Sequence, residues 1–224
     1  MFFRNKRQFL MSKKFYITTP IYYVNAKPHV GHAYTSILCD TLTRYARLSG
    51  QEAFYLTGTD EHGSKIEKAA AEQSKTPQAF VDEVVPHFKD LWRILGIEYD
   101  DFIRTTDKRH TQVVQEALRR VEAKGDIYKK AYQGWYCVPC ETFFGVGELQ
   151  DGKKCPQCSR EVQLLEEENY FFKLSKYQDW LVQYIRENPD FIRPEIRRNE
   201  ILGFLKQPLE DLCITRPKKR LSWG

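Results

Sequence analysis

Residues 15–32 read FYITTPIYYVNAKPHVGH, and this stretch decides the fold. Its first three residues are apolar and predict a buried strand, and the loop that follows contains two prolines. Residues 33–48 predict a helix, which Gly50 ends. A strand, a loop and a helix in this order place backbone N–H groups and a helix dipole opposite an anion.

Two histidines mark the predicted start of this helix. His29 and His32 are three residues apart, so their side chains lie on the same side of the first turn and both can donate to one phosphate. Gly31 between them would let a nucleotide approach closely. The alternative is that the two histidines only cap a solvated helix end. The spacing alone leaves both readings open.

Further strands and helices alternate along the first half of the chain. Residues 53–56 predict a second strand, and residues 57–63 are expected to form the loop beyond its carboxyl end, where open α/β sheets bind ligands. Pro86 lies inside a helical apolar stripe, so we expect a kink or two shorter helices there. The remaining predictions are helices over residues 64–73, 77–95 and 107–124 and a strand over 102–105. This alternation is typical of half of a doubly wound parallel sheet.

The cysteines form the most specific pattern. Four of the six occur as two Cys-x2-Cys pairs separated by 14 residues: Cys137, Cys140, Cys155 and Cys158. Two such turns can place four thiolates at roughly 2.3 Å from a Zn²⁺, and a closed four-sulfur shell indicates one structural zinc. Four free buried thiols or a redox pair are the alternatives. Cys39 and Cys213 are expected to be buried apolar residues.

Composition sets broad limits. The chain of 224 residues is 42% hydrophobic, enough for a packed core, and its net charge of +5 is compatible with a polyanionic partner. It contains no apolar run of about 18 residues and no visible secretory signal, so we expect a cytoplasmic protein without a membrane partner. Residues 1–10, which are basic and rich in phenylalanine, are interpreted as an upstream extension.

Two long motifs resemble one family closely. Residues 19–32, TPIYYVNAKPHVGH, followed by residues 56–63, LTGTDEHG, are similar to the methionyl-tRNA synthetases, which are class I aminoacyl-tRNA synthetases. Residues 29–32, HVGH, match the family's His-Ile-Gly-His signature with Val for Ile. The resemblance continues through the cysteines to Arg216 and covers everything after about residue 12. It implies an α/β fold: the first half of a Rossmann-like parallel sheet, with an inserted zinc-binding connective module.

The resemblance also implies a domain organisation. Residues 1–12 are expected to be a disordered extension, and residues 13–127 the first half of the nucleotide-binding catalytic domain. Residues 128–172, rich in aromatic residues, glycine and cysteine, correspond to the zinc-binding connective insertion. Residues 173–224 would be the helical end of the connective region.

The family chemistry is ligation of methionine to tRNA. By resemblance, the methionine carboxylate attacks the α-phosphate of ATP, which is bound with Mg²⁺, and methionyl adenylate then transfers methionine to tRNA(Met). His29 and His32 would donate to the ATP phosphates, and Gly31 would lie against the adenosine. Asn25 would be an ATP-adjacent or a loop-shaping residue. Arg216 matches a family arginine near the active site; a surface arginine in a basic run is the alternative.

The amino-acid pocket is predicted around Asp60. A carboxylate at the end of a strand can accept charge-assisted hydrogen bonds from the α-ammonium group of methionine. Ile21 and Tyr23 would line the side-chain pocket, where the Tyr ring suits a thioether. The alternative for Asp60 is a turn residue, and His62 is left outside the predicted site.

Members of the family continue beyond the part that matches here. They carry the second half of the nucleotide-binding fold, including a Lys-Met-Ser-Lys-Ser loop, and an anticodon-binding domain. We therefore expect an amino-terminal portion that is poorly active alone and that a complementary chain would restore. The alternative function is a catalytically inactive, zinc-containing fragment that binds a nucleotide or the tRNA acceptor end.

Overall fold

The computed structural model describes residues 14–140, 142–216, 218 and 222–223. The expected extension at residues 1–12 lies outside the described residues, as does most of the basic run after Arg216. The chain divides into two compact units, one with the residues up to Val113 together with Trp223, the other with Val114–Ser222. The predicted domain boundaries at residues 127 and 172 stay predictions. Within the described ranges, no helix has the length and apolar character needed to cross a membrane.

The first unit is an α/β structure whose order follows the predicted alternation. Polar, glycine-containing or proline-containing segments separate its apolar periodic stretches, so each element ends where the pattern does. Its elements are β1 (Lys14–Thr18), β2 (Tyr22–Tyr23), α1 (Val30–Leu48), β3 (Glu52–Asp60), α2 (Ser64–Glu72), α3 (Pro77–Ile94), β4 (Asp101–Arg104) and the beginning of α4 (Lys108–Ala123).

Strand β3 is the central strand of a parallel sheet. It pairs with β1 from Lys14↔Glu52 onward and with β2 at Tyr23↔Asp60, and both lie along the same side. Strand β4 pairs with its other side. All three pairings are parallel, so the predicted parallel α/β sheet is confirmed.

Strand β3 is longer than the sequence predicts. Residues 57–60, expected in a loop, continue the strand to Asp60. Thr57 and Thr59 are buried there, and the Thr57 hydroxyl hydrogen-bonds to that of Thr19 at 2.7 Å. Because β-branched threonines suit a strand when their hydroxyls have partners, this polar stretch is strand and not loop. The extension makes Asp60 the last strand residue.

The core of this unit lies between the sheet and its helices. Its largest fully buried side chains include Trp92, Phe88 and Tyr55. Helix α3 supplies two of them, and its predicted apolar stripe is confirmed. Of the two expectations for Pro86, two shorter helices are wrong, because α3 runs through the proline without a break, and a kink stays a prediction. Buried residues on both sides of the proline hold the helix against the core, which offsets the lost hydrogen bond.

The second unit contains an antiparallel sheet of order β6-β5-β7-β8, which the sequence analysis does not anticipate. The long strands β5 and β7 pair from Ile127↔Phe172 to Tyr136↔Gln163. Its elements after α4 are β5 (Ile127–Cys137), β6 (Thr142–Phe144), a short 3-10 turn (Val146–Glu148), β7 (Gln163–Phe172), a second 3-10 turn (Leu174–Tyr177), α5 (Gln178–Glu187), α6 (Glu195–Phe204) and β8 (Leu212–Cys213).

Gly58 allows β3 and β4 to pair. A Cβ added there would lie 2.1 Å from the carbonyl oxygen of Ile103, its register partner in β4. Neither strand can move away without losing the backbone hydrogen bonds that join β3 to β4. We therefore expect Gly58→Ala to lower the free energy of unfolding by about 3 kcal/mol, the upper range for overpacking, in urea unfolding followed by circular dichroism.

Gly203→Ala is the matched control. Gly203 lies in α6 with no atom within 4 Å of an added Cβ, so alanine should be neutral or stabilising there. Equal stability of the two variants would contradict the assignment of Gly58 as a steric requirement.

Candidate nucleotide and amino-acid site

Helix α1 begins with a capping box made of two histidines. His29 is the N-cap residue with an extended backbone, and its Nδ1 accepts a hydrogen bond from the Gly31 N–H at 3.1 Å. In return, Nδ1 of His32 accepts from the His29 N–H at 3.0 Å. Side chains that exchange hydrogen bonds in this way usually belong to Ser or Thr and Glu or Gln. Here two imidazoles satisfy backbone donors at the helix start.

This cap determines where each ring carries its proton. A nitrogen that accepts a hydrogen bond has a free lone pair, so a neutral imidazole that accepts at Nδ1 carries its hydrogen on Nε2. His29 and His32 therefore both present an Nε2–H donor, and their ring centroids lie 3.9 Å apart. The two readings of these histidines are compatible, because Nδ1 caps the helix and Nε2 is left to donate.

Aromatic packing holds the ring of His32. Tyr22 and Phe88 contact it edge to face, with centroids at 4.8 Å and 5.3 Å. The Tyr22 hydroxyl hydrogen-bonds to the Ser36 hydroxyl at 2.9 Å, which ties β2 to α1. Burial, and then repulsion from His29, lowers the pKa of His32. Both effects favour the neutral ring that the cap requires.

Gly31 provides space for His29. A Cβ at residue 31 would lie 3.0 Å from Cε1 and 3.1 Å from Nδ1 of the His29 ring. The sequence predicts that this glycine lets a nucleotide approach closely. The structure shows a second reason for glycine here, because the His29 imidazole folds back over it to reach its N–H.

The predicted amino-acid residues lie at the carboxyl ends of neighbouring strands. Tyr23 ends β2 and is the register partner of Asp60, which ends β3. Ile21 directly precedes β2 and is 44% exposed. Asn25 is exposed in the loop between β2 and α1. All four belong to the same unit as the histidine cap. Their ligand-binding roles stay predictions.

Two residues that the sequence analysis does not select contact this strand end. Glu61 is fully buried beside Asp60, and the indole N–H of Trp223 donates to its carbonyl. A charged residue at the end of a buried strand was a signal available for Glu61. No local pattern pointed to Trp223, which is 162 residues away in the sequence. Burial lowers the pKa of the neighbouring His62, whose ring centroid lies 5.2 Å from that of Trp223.

Arg216 belongs to the second unit. Its guanidinium lies over the rings of Tyr136 and Phe143, at 5.8 Å and 5.5 Å, and donates to the Thr215 carbonyl at 2.7 Å. The side chain is half-buried, which is compatible with both interpretations of this arginine. Its predicted place near the active site stays a prediction.

The four cysteines of the two pairs converge in the second unit. Their sulfurs all lie within 4.8 Å of one another, with Sγ–Sγ distances of 3.5 Å for Cys137–Cys158 and 3.8 Å for Cys140–Cys155. Tetrahedral bonds of about 2.3 Å require sulfurs about 3.8 Å apart, so the set fits one metal ion.

Backbone N–H groups support the cysteine thiolates. The Gln157 N–H donates to Cys155 Sγ at 3.4 Å, and a hydrogen bond from the Arg160 backbone lowers the pKa of Cys158 to about 7, whereas burial raises the pKa of Cys137 and the neighbouring Cys158 thiol raises that of Cys140. Backbone hydrogen bonds of this kind stabilise the charged form that binds metals. Outside the cluster, Cys39 is buried as predicted, whereas Cys213 is only half-buried.

The fold and the site together define a class of protein. In the first unit, the start of α1 presents two N–H donors, and β3 ends with the carboxylate of Asp60. The second unit contains an antiparallel sheet and a four-cysteine cluster. Such an arrangement is typical of nucleotide-binding α/β domains that carry a metal-binding module.

The comparisons with known proteins identify the family. The family model described as "tRNA synthetases class I (M)" matches residues 15–164 and 148–224, so the chain belongs to this family. A methionine–tRNA ligase of Clostridium acetobutylicum is 55% identical over 213 residues, which is 95% of this chain and 33% of the relative. One of Thermotoga maritima is 53% identical over 214 residues, 94% of this chain and 34% of the relative.

A solved structure agrees with these relatives. Mycobacterium tuberculosis methionyl-tRNA synthetase in complex with methionyl-adenylate matches with a TM-score of 0.85 and 44% identity, over 91% of this chain and 41% of that chain. The fold predicted from the resemblance is confirmed. The chain spans about a third of the length of the curated relatives it matches.

We expect Gly31→Ala to displace the His29 ring, because the new methyl group would contact it. Proton–nitrogen correlation spectra of the imidazoles check this. In the unaltered chain His29 and His32 should both show the neutral ring protonated at Nε2, and the variant should lose that pattern at His29. The His110 signal, from helix α4, serves as the internal reference. An unchanged His29 pattern would contradict the steric argument.

Proposed function

We propose that this chain forms the methionine- and ATP-binding part of a methionine–tRNA ligase. The whole protein would activate methionine as methionyl adenylate and transfer it to tRNA(Met) in the cytoplasm. The observation that carries the proposal is the pair of Nε2–H donors at the start of α1, in the same unit as Asp60 at the end of β3. The names of the relatives support the substrate assignment.

The helix start would bind the triphosphate of ATP. His29 and His32 contribute two N–H donors, and the positive end of the α1 dipole adds a favourable field for a polyanion. Neutral imidazoles would donate hydrogen bonds to the phosphates without adding a positive charge, which would slow release of the pyrophosphate product. Mg²⁺ bound to the phosphates supplies further charge neutralisation. Asn25 and Gly31 would border the nucleotide.

The neighbouring strand ends would hold methionine. Asp60 would accept charge-assisted hydrogen bonds from the α-ammonium group, and Tyr23, its register partner, and Ile21 would contact the side chain. Held there, the methionine carboxylate attacks the α-phosphorus of ATP. A carboxylate–phosphorus bond forms as the bond to pyrophosphate breaks, so the protein supplies positioning and charge neutralisation and need not form a covalent intermediate. Arg216 is proposed as a further ligand-binding residue.

Methionine-dependent exchange of pyrophosphate into ATP tests the proposal. We expect little exchange from the 224-residue chain alone and a large increase when a chain that carries the remaining two thirds of the Thermotoga maritima relative is added. Asp60→Asn should abolish the increase, because the ammonium group loses its charged partner. A chain that binds zinc and ATP but supports no exchange with its complement would instead be a non-catalytic binding module.

We further propose that the cysteine cluster holds one structural zinc ion. All four protein ligands close the shell, so the metal would order one turn that follows β5 and another that precedes β7, and it would take no part in the reaction. Metal binding then contributes about 10 kcal/mol or more to folding of these turns.

Replacing one ligand tests the zinc assignment. Cys155→Ser should lower the metal content from one zinc per chain to nearly none, measured by elemental analysis after dialysis, because a closed tetrahedral site needs all four sulfurs. Cys213→Ser, outside the cluster, is the matched control and should keep its zinc. Full zinc occupancy in Cys155→Ser would contradict the assignment.

A further inference from the structure

Glu61 lies beside the proposed ammonium ligand and is fully buried. Four hydrogen bonds reach its carboxylate. The Thr59 hydroxyl donates to Oε1 at 2.6 Å and the Thr106 hydroxyl to Oε2 at 2.7 Å. Arg104 donates from Nε to Oε1 at 2.7 Å and from Nη2 to Oε2 at 2.9 Å. A buried carboxylate with this many donors holds one geometry, because any rotation would leave a buried charge without partners.

Arg104 extends this network to helix α3. Its Nη2 also donates to Asp82 at 2.6 Å, so one guanidinium links the ends of β3 and β4 to the helix. The hydrogen bond to Glu61, more than any other contact, raises the pKa of Arg104. The Arg104 guanidinium therefore stays charged at any working pH.

The backbone after Asp60 is held from two directions. The Glu61 N–H donates to the Thr105 hydroxyl at 2.9 Å. On the same segment, Trp223 donates its indole N–H to the Glu61 carbonyl and accepts from the Gly63 N–H at 3.2 Å. Residues distant in the sequence thus fix the peptide groups on both sides of His62.

The proposed reaction assigns no chemistry to Glu61 or to Trp223. They contact the segment 61–63, whose first residue follows Asp60 directly. The side chains of Thr59 and Glu61 hydrogen-bond to each other across Asp60, so they lie on one face of the chain, and anchoring Glu61 directs Asp60 to the other face. A carboxylate that binds an ammonium group must be held to a few tenths of an ångström, and residues that lock its neighbours supply that precision.

We propose that Glu61 and Trp223 are positioning residues for the amino-acid ligand, which hold residues 60–63 so that Asp60 meets the α-ammonium group. This inference rests on the proposed function. It predicts that loss of these contacts weakens methionine binding and leaves ATP binding unchanged. The network supports the methionine end of the site, whereas the histidine cap on α1 uses the backbone of its own helix start and needs none of these contacts.

Separate binding titrations of methionine and ATP test the proposal on the 224-residue chain. Glu61→Gln keeps the shape of the side chain but removes its charge, and should weaken methionine binding at least tenfold while ATP affinity stays within twofold. Trp223→Phe keeps an aromatic ring but loses the indole N–H. It should weaken methionine about threefold and speed hydrogen exchange at the Gly63 amide, a readout that general destabilisation would spread over the whole unit.

Asp40→Asn is the matched control. Asp40 is also buried and also joins an arginine and a backbone N–H, accepting from Arg44 at 2.7 Å and from Glu98 at 2.9 Å. It should leave both affinities within twofold. Should Glu61→Gln fail to fold, Thr106→Val removes one neutral hydrogen bond from the same carboxylate and should weaken methionine about threefold.

The outcomes distinguish failure of the positioning role from failure of the proposed function. Unaltered methionine affinity in Glu61→Gln, or an equal loss of methionine and ATP affinity, would overturn the positioning role while the proposed function stands. An unaltered chain that binds ATP but shows no methionine binding would overturn the amino-acid site itself and this inference with it.

Discussion

The structure of the first unit depends on β3 having hydrogen-bonded neighbours along both sides. Parallel pairing with β1 and β2 on one side and β4 on the other buries the strand and brings three strand ends to one edge. Gly58 permits the approach of β4, and Thr57 and Thr59 satisfy the polar groups that such burial would otherwise leave without partners. The candidate site lies where these constraints end, at Asp60.

Local signals predicted most of the first unit. The apolar triplet of residues 15–17, the helix end at Gly50 and the apolar stripe around Pro86 are local signals, and they indicate β1, α1 and α3 correctly. Long-range pairing decides the rest. The sequence alone predicts a loop after Leu56, and these residues are strand because they pair with β4. The antiparallel ladder of β5 and β7 joins segments that share no local sequence pattern. Trp223 reaches Glu61 only through the fold.

The cysteine pairs show the same limit in a different form. Their spacing predicted which four sulfurs meet, because each Cys-x2-Cys turn is local and only one combination closes a tetrahedral shell. The spacing carried no information on the sheet that supports them. That sheet is formed by the long-range pairing of β5 with β7, and the described side chains of these strands do not alternate regularly between buried and exposed, so no local period predicts it.

The two-histidine cap restricts which side chains can occupy residues 29 and 32. Serine, threonine or aspartate could also accept hydrogen bonds from these amides. The hydroxyl oxygen of serine or threonine would then be its only heteroatom, with no second group to donate to a ligand, and the aspartate carboxylate would repel an anion. Imidazole places an acceptor and a donor on opposite sides of one rigid ring. Substitution by the usual capping residues would thus preserve the helix and lose the proposed anion site, so helix stability and the proposed ligand binding constrain the same two residues in different ways.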